Sequence, residues 1–192
     1  VQNIGAYGTE VGDSIHKVEY VDIKSLKEVA LSAPECRFGY RDSIFKRELK
    51  SATVITYVTF RLSKYPVINA GYADVAAELS GVENPGLFDV RRAIIDIRRR
   101  KLPDPAVIGN AGSFFKNPVV PEALALPIQR DNPTLKLFPA GNGFSKVPAA
   151  WLIEQCGFKG KRFGNVGVHP NQALVLVAYD GATGKELLEL SD

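Results

Sequence analysis

Between residues 54 and 62 the chain alternates Val54, Thr56, Val58, Phe60 and Leu62 with Ile55, Tyr57, Thr59 and Arg61. This period of two predicts a half-buried strand. Two shorter apolar runs, 18–23 and 28–31, flank a polar turn at Lys24 and Ser25 and predict a hairpin. Ser32 and Glu35 stand at capping-box spacing around Pro34, which predicts one helical turn ending near Cys36. Asp89 can cap a helix to about Arg100, with Val90, Ala93, Ile94 and Ile97 on one stripe and arginines on the rest. Pro103 and Pro105 stop it. Residues 148–156 read as a helix with Pro148 near its start and Gly157 at its end, and 173–179 as a buried strand. Thr183 and Glu186 open a last helix, expected to continue past Asp192.

These elements mix strands and helices without a repeating β-α order, so the expected class is α+β. Residues 102–112 hold two prolines and two glycines, which suits a boundary between two domains, 1–101 and 102–192. Composition narrows the picture. With 192 residues, 45% of them apolar, the chain can bury a core and is no disulfide-stapled miniprotein. The 24 Lys and Arg against 21 Asp and Glu leave only +3, too little to imply nucleic-acid binding from bulk charge. The longest apolar run, 173–178, is far short of the ~20 residues of a membrane span. Cys36 and Cys156 have no partner at metal-ligand spacing, which argues against a zinc site or disulfide framework and for a reducing, cytoplasmic setting. The chain contains no methionine, so it is expected to be part of something longer.

Three strings carry chemistry-bearing residues. QNIGAYG, residues 2–8, is either an ordinary turn or a loop whose backbone approaches a flat or phosphorylated ligand. ECRFGYRDSIFK, residues 35–46, brings Tyr40, Arg41 and Asp42 together; Arg41 either pairs with Asp42 on the surface or presents its fork of donors to a ligand carboxylate. KLPDPAVIGNAGSFFKNP, residues 101–118, delivers Ser113, Lys116 and Asn117 beside two phenylalanines expected to fill the core. It is either a tight turn or the wall of a pocket for a polar ligand. His16 and His169 have no second ligand at metal spacing and read as surface or packing residues. The run Arg98 to Lys101 spreads around a helix and reads first as a solvated face, with no affinity for duplex DNA expected.

QNIGAYG, CRFGYRDSIFK, KLPDP, GNAGSFFKNPVV, WLIEQCGFKG and VGVHPNQALVLV, in this order and spacing, resemble the UDP-N-acetylenolpyruvoylglucosamine reductase family across essentially the whole chain. The resemblance implies a flavoenzyme of peptidoglycan precursor synthesis. It would use NADPH and bound FAD to reduce the enolpyruvyl ether of UDP-N-acetylglucosamine to UDP-N-acetylmuramate. It also implies the architecture: residues 1–101 as part of the second lobe of a two-lobed, PCMH-like FAD-binding domain, and 102–192 as an α+β substrate-binding domain.

By the same resemblance Arg41 is the catalytic arginine that binds the carboxylate, and Ser113 the serine that protonates the inner carbon. Gln2, Asn3, Gly5, Ala6 and Arg98 lie along the flavin. Tyr72 folds over the nucleotide, and Lys101, Asn117, Lys146, Lys159 and Gln172 contact pyrophosphate, uridine and sugar. No metal, membrane, nucleic acid or obligate protein partner is implied. Family members carry a further FAD lobe before the position of Val1 and a catalytic glutamate beyond that of Asp192. The chain alone is therefore expected to hold FAD poorly and turn over little, an expectation that stoichiometric yellow flavin on the purified chain would contradict. A different class of function, a non-catalytic module that binds the nucleotide sugar, shares the same pocket. Arg41 and Ser113 are expected to face one cleft.

Overall fold

The computed structural model describes residues 2–192; Val1, the first residue of the expected first lobe, lies outside them. The chain divides into two compact units between Ile95 and Asp96, inside a helix and some residues before the proline-rich stretch.

The first unit opens with a two-residue ladder, β1 (Gly5–Ala6) against β2 (Thr9–Glu10), followed by a 3-10 turn over Val11–Ser14. β3 (Ile15–Asp22) and β4 (Glu28–Ser32) form the hairpin expected from the sequence, with Val18 opposite Leu31 and Tyr20 opposite Val29. The Asp22 carboxylate closes the turn, accepting from the Ser25 amide and hydroxyl at 2.7 Å each. β5 (Thr53–Phe60) lies on the other side of β3, giving the antiparallel order β4-β3-β5.

Bulges alter the simple alternation. Lys17 to Glu19 face Thr59 to Tyr57 one for one, but Tyr20 faces Ile55, so Thr56 is an extra residue on β5. Its hydroxyl donates to the Glu19 carbonyl at 3.1 Å. As a result Ile55 and Val58, three apart, both pack on the core, while Val54, Tyr57 and Phe60 are exposed. That core joins Ile15, Val18 and Tyr20 to Cys36 and Phe45, with the Tyr20 and Phe45 rings edge to face at 5.6 Å.

The Ser32 and Glu35 pair forms, the Glu35 carboxylate accepting from the Ser32 amide at 2.8 Å and its hydroxyl at 2.5 Å, but it closes a turn rather than a helix. Arg37, at φ 47°, turns the backbone left-handed before a helical turn can propagate. A 3-10 turn at Ile44–Lys46 and a short helix, α1 (Ala73–Glu78), follow. α2 (Leu87–Lys101) starts two residues before Asp89, whose carboxylate accepts from the Gly86 amide at 2.9 Å. Its buried stripe is Ala93 and Ile97, with Val90 and Ile94 half-buried.

The second unit holds two antiparallel sheets. One has the order β10 (Arg162–Phe163), β11 (Val166–Val168), β12 (Val175–Ala178), β6 (Gly109–Ser113). The other has β7 (Val119–Pro121), β9 (Phe144–Lys146), β8 (Phe138–Gly141). α3 (Glu122–Asp131) follows β7 and carries Pro127 in its interior; α4 (Ala149–Gln155) follows β9. α5 (Gly184–Ser191) has the reciprocal Thr183 and Glu186 cap that its sequence announces.

Ala125, Leu135 and Val147 form one core with Trp151 and Leu152 against it. Val168, Ala173 and Leu176 form another, covered by Phe115, Ile153, Leu187 and Leu190. Only Phe115 of the two phenylalanines fills a core as expected. Phe114 is 46% exposed and meets Phe115 edge to face at 5.1 Å. Strand alternation explains this, since adjacent residues leave a strand end on opposite sides.

Candidate functional site

The first-unit residues converge on Arg41. Gly39 and Asp42 exchange backbone hydrogen bonds at 3.1 and 3.2 Å, putting Tyr40 and Arg41 at the tip of a tight turn, with Arg41 left-handed at φ 54°. Cys36, fully buried two residues after Pro34, anchors the preceding loop, and burial pushes its thiol above the ordinary range. From the turn the half-buried guanidinium reaches back to the amino-terminal segment. Nη1 donates to the Asn3 carbonyl at 3.3 Å and Nη2 to that of Gly5.

The surface pair between Arg41 and Asp42 that the sequence left open does not form. The Asp42 carboxylate accepts from the Ser43 amide at 2.8 Å and meets Arg47 Nε at 3.3 Å. An arginine has five N–H donors. Those of Arg41 not engaged by the two carbonyls meet no protein acceptor among the described residues.

The segment 2–12 is ordered by the Asn3 side chain, which is 3% exposed. Its Nδ2 donates to Glu10 Oε2 at 2.6 Å and to the Gly39 carbonyl at 3.0 Å, and its Oδ1 accepts from the Gly12 amide at 2.8 Å. Gln2 is exposed and its Oε1 accepts from Lys46 Nζ at 3.0 Å. Gly5 faces inward: a Cβ there would lie 3.2 Å from both Arg41 Nη1 and Glu10 Cγ. Gln2, Ile4 and Ala6 point outward, a side-chain amide and two apolar groups along one exposed strip.

Tyr72 precedes α1, 43% exposed, and its ring stands edge to face on Tyr7 at 5.5 Å. Asn69 Nδ2 donates to the Gly8 carbonyl at 3.1 Å and so ties the Tyr72 loop to the QNIGAYG turn. Sequence reasoning missed Tyr7, Glu10 and Asn69 as members of this constellation. Tyr7 lay in view inside QNIGAYG; Glu10 and Asn69 carry no local signal.

In the second unit Ser113 ends β6, exposed and opposite Val175. Gly112 at φ 73° sits at the bulge in β6 just before it, and Asn110 braces that strand through the Pro103 and Ile108 carbonyls at 3.2 and 2.9 Å and the Gly112 amide at 3.1 Å. Gln172 lies beside this strand end. Its Oε1 accepts from the Leu174 amide at 3.4 Å, and the Leu174 carbonyl accepts from the Phe114 amide at 2.7 Å. Asn117 and Lys146 form a second pair of neighbours, linked through the Val147 to Pro118 backbone bond of 3.0 Å.

Asn117 Oδ1 caps α4 by accepting from the Ala149 amide at 3.0 Å, which Pro148 at the N-cap cannot do. Lys159 is ion-paired with Glu154 at 2.8 Å. Arg98 and Lys101 are exposed at the end of α2, where Arg98, Arg99, Leu102, Pro103 and Asp104 line a shallow pocket of about 230 Å³. His169 is half-buried, its Nδ1 accepting from the Asn171 amide at 3.3 Å, and burial lowers its pKa. Among the described residues there is no cluster of His, Cys, Asp and Glu able to hold a metal, and no helix long and apolar enough to cross a membrane.

Residues 104–192 match the family model described as UDP-N-acetylenolpyruvoylglucosamine reductase, C-terminal domain. Over its full length the chain is 50% identical to the UDP-N-acetylenolpyruvoylglucosamine reductase of Chromobacterium violaceum and 49% identical to that of Flavobacterium johnsoniae. It spans 57% and 58% of the lengths of those relatives. A crystal structure of the corresponding reductase from Thermus caldophilus superposes with a TM-score of 0.60 at 22% identity, covering 99% of this chain and 52% of that one, which shows a shared fold. By identity at this level along its whole length, together with the family-model match over 104–192, the chain belongs to the UDP-N-acetylenolpyruvoylglucosamine reductase family.

Proposed function

We propose that the chain is the part of an NADPH- and FAD-dependent oxidoreductase that recognises and reduces the enolpyruvyl ether of UDP-N-acetylglucosamine, yielding UDP-N-acetylmuramate for cytoplasmic peptidoglycan precursor synthesis. The observation that carries this reading is the Arg41 guanidinium, fixed by two main-chain carbonyls, with its other donors meeting no protein acceptor among the described residues. A planar fork held in this way matches a carboxylate bidentately. The outward strip of Gln2, Ile4 and Ala6, on the segment whose carbonyls hold Arg41, would receive the flavin. When bound and reduced by NADPH, the flavin supplies a hydride to the outer carbon of the enol ether.

The electron pair of the double bond then collects on the inner carbon and the attached carboxylate, and Arg41 meets that charge with donors already in place. The exposed Ser113 hydroxyl gives its proton to the inner carbon and regains one from solvent. Tyr72, supported by Tyr7, covers the nucleotide; Lys101, Lys146, Lys159, Gln172 and Asn117 receive the diphosphate sugar. Residues 1–101 would contribute the second FAD lobe and 102–192 the substrate domain.

Calorimetry with UDP-N-acetylenolpyruvoylglucosamine and with UDP-N-acetylglucosamine, which lacks the carboxylate, tests the reading. Tighter binding of the first, lost in Arg41→Lys, is expected. Equal affinity of the unmodified chain for the two ligands refutes it.

A further inference from the structure

Arg41 is aimed by acceptors that are themselves held in place, and the holding group is one side chain. We propose that Asn3 is a positioning residue for the Arg41 guanidinium, its buried amide ordering the amino-terminal segment whose main-chain carbonyls hold the arginine and tying it to the Arg41 turn. The inference deepens the proposed function, because what the guanidinium is aimed at rests on that reading.

The connections form a closed circuit. The Asn3 carbonyl accepts from Arg41 Nη1 at 3.3 Å. The Arg41 main chain belongs to the turn closed by Gly39 and Asp42. The Gly39 carbonyl accepts from Asn3 Nδ2 at 3.0 Å, returning to the residue where the circuit began. Both ends of the arginine, its backbone and its guanidinium, are thus referred to Asn3. The remaining amide contacts, to Glu10 Oε2 at 2.6 Å and from the Gly12 amide at 2.8 Å, fix the rotation of the Asn3 side chain itself.

Two further observations point the same way. Asn3 and Arg41 both adopt left-handed backbone, at φ 54° each, a conformation that persists where surrounding contacts over-determine it. Asparagine is also among the few residues that tolerate it, so at position 3 backbone and amide requirements coincide. Space around the circuit is closed: a Cβ on Gly12 would come within 2.8 Å of Asn3 Oδ1, and one on Gly5 within 3.2 Å of Arg41 Nη1. The amide, 3% exposed, has no room to settle elsewhere if Gly12 grows.

The side chain of Asn3 therefore faces protein, and any contact of this residue with the flavin would run through its main chain. Using carbonyl oxygens as acceptors orients the guanidinium without cancelling its charge, which a carboxylate partner would do.

The test uses 15N-labelled chain and follows the Nη–H resonances of Arg41, assigned by their disappearance in Arg41→Lys. Two carbonyl acceptors slow rotation about Cζ–Nε and solvent exchange, so separate, protected resonances are expected. In Asn3→Ala they should merge and exchange on the order of tenfold faster. Glu10→Ala removes one amide contact from an exposed position, keeps the first unit folded should Asn3→Ala unfold it, and should produce a smaller shift in the same direction.

In parallel, the preference for UDP-N-acetylenolpyruvoylglucosamine over UDP-N-acetylglucosamine should fall about tenfold in Asn3→Ala with affinity for the second ligand unchanged. Arg41 resonances that stay separate in both Asn3→Ala and Glu10→Ala overturn the inference. Merged resonances in a chain that never preferred the carboxylate ligand uphold the positioning role and refute the carboxylate reading instead.

Discussion

Replacing Gly12 by alanine tests the geometry around Asn3 without touching any proposed ligand contact. Gly12 has an ordinary backbone, so the consequence lies in contacts: its new Cβ would sit 2.8 Å from Asn3 Oδ1, 3.2 Å from Asn3 Cγ and 3.3 Å from Phe38 Cβ. The amide cannot swing aside freely, since it is 3% exposed and bonded to Glu10 and to Gly39. Over-packing of this kind costs about 1–3 kcal/mol. Displacing Oδ1 also removes the acceptor of the Gly12 amide, about 1–3 kcal/mol for a donor left without a partner. Because partial relaxation trades one cost against the other, the expected loss is about 2–4 kcal/mol, a large share of a domain's stability.

Urea unfolding followed through the amide cross-peaks of β3 and β5 reads the first unit directly, whereas the fluorescence of Trp151 reports on the second. Gly81→Ala is the matched control. Nothing lies within 4 Å of its new Cβ and its backbone is not left-handed, so it should be neutral or stabilise by up to about 1 kcal/mol. A Gly12→Ala chain within about 0.5 kcal/mol of wild type, with unchanged slope and unmoved Asn3 Nδ2 signals, refutes the packing argument.

Thr183→Ala removes the reciprocal cap of α5 and should destabilise the second unit by about 1 kcal/mol, read as a lower urea midpoint in Trp151 fluorescence; an unchanged midpoint contradicts it. His169, held below its ordinary pKa of 6.5 by burial, takes up its proton more readily when unfolded. Stability should therefore be full above about pH 6.5 and decline as the pH falls from there toward the folded value, and His169→Gln should flatten the melting-temperature profile between pH 7.5 and 5.5. A His169 C–H resonance titrating at or above 6.5 would remove the basis for that expectation.

The elements legible in the sequence are those whose causes are local. The β3–β4 hairpin, the stripe of α2 and the caps of α5 each follow from residues within a few positions of one another. The one-turn helix at Ser32 failed because a capping pair reports hydrogen bonds, which formed, and not the φ of 47° at Arg37 that ended the turn. α3 escaped notice because Pro127 sits in its interior, where proline ordinarily breaks a helix; Ala125 and Leu135, both buried in the same core, hold it regardless. The bulge at Thr56 is likewise set by pairing with β3 rather than by β5 itself. In the site, the strings around Arg41 and Ser113 were visible. The Arg41 acceptors, 36 and 38 positions away along the chain, were not, since nothing in a linear pattern says which carbonyl a guanidinium will find.

If Arg41 receives a substrate's carboxylate, as proposed, it has first to avoid the carboxylates of its own protein. Asp42 is adjacent in sequence and would be the obvious competitor, with an exposed pair between them contributing roughly 0–1 kcal/mol to stability while occupying the donors. The turn prevents this by direction. With Gly39 and Asp42 bonded across it, the Asp42 carboxylate meets the Ser43 amide and Arg47, while Arg41 turns to Asn3 and Gly5. Main-chain carbonyls restrain the guanidinium without an ion pair, and among the described residues its other donors meet no protein acceptor. Under the proposed chemistry this leaves positive charge waiting where negative charge develops, while Arg47 engages Asp42 and also braces the flanks of the turn through the Arg37 and Ser43 carbonyls.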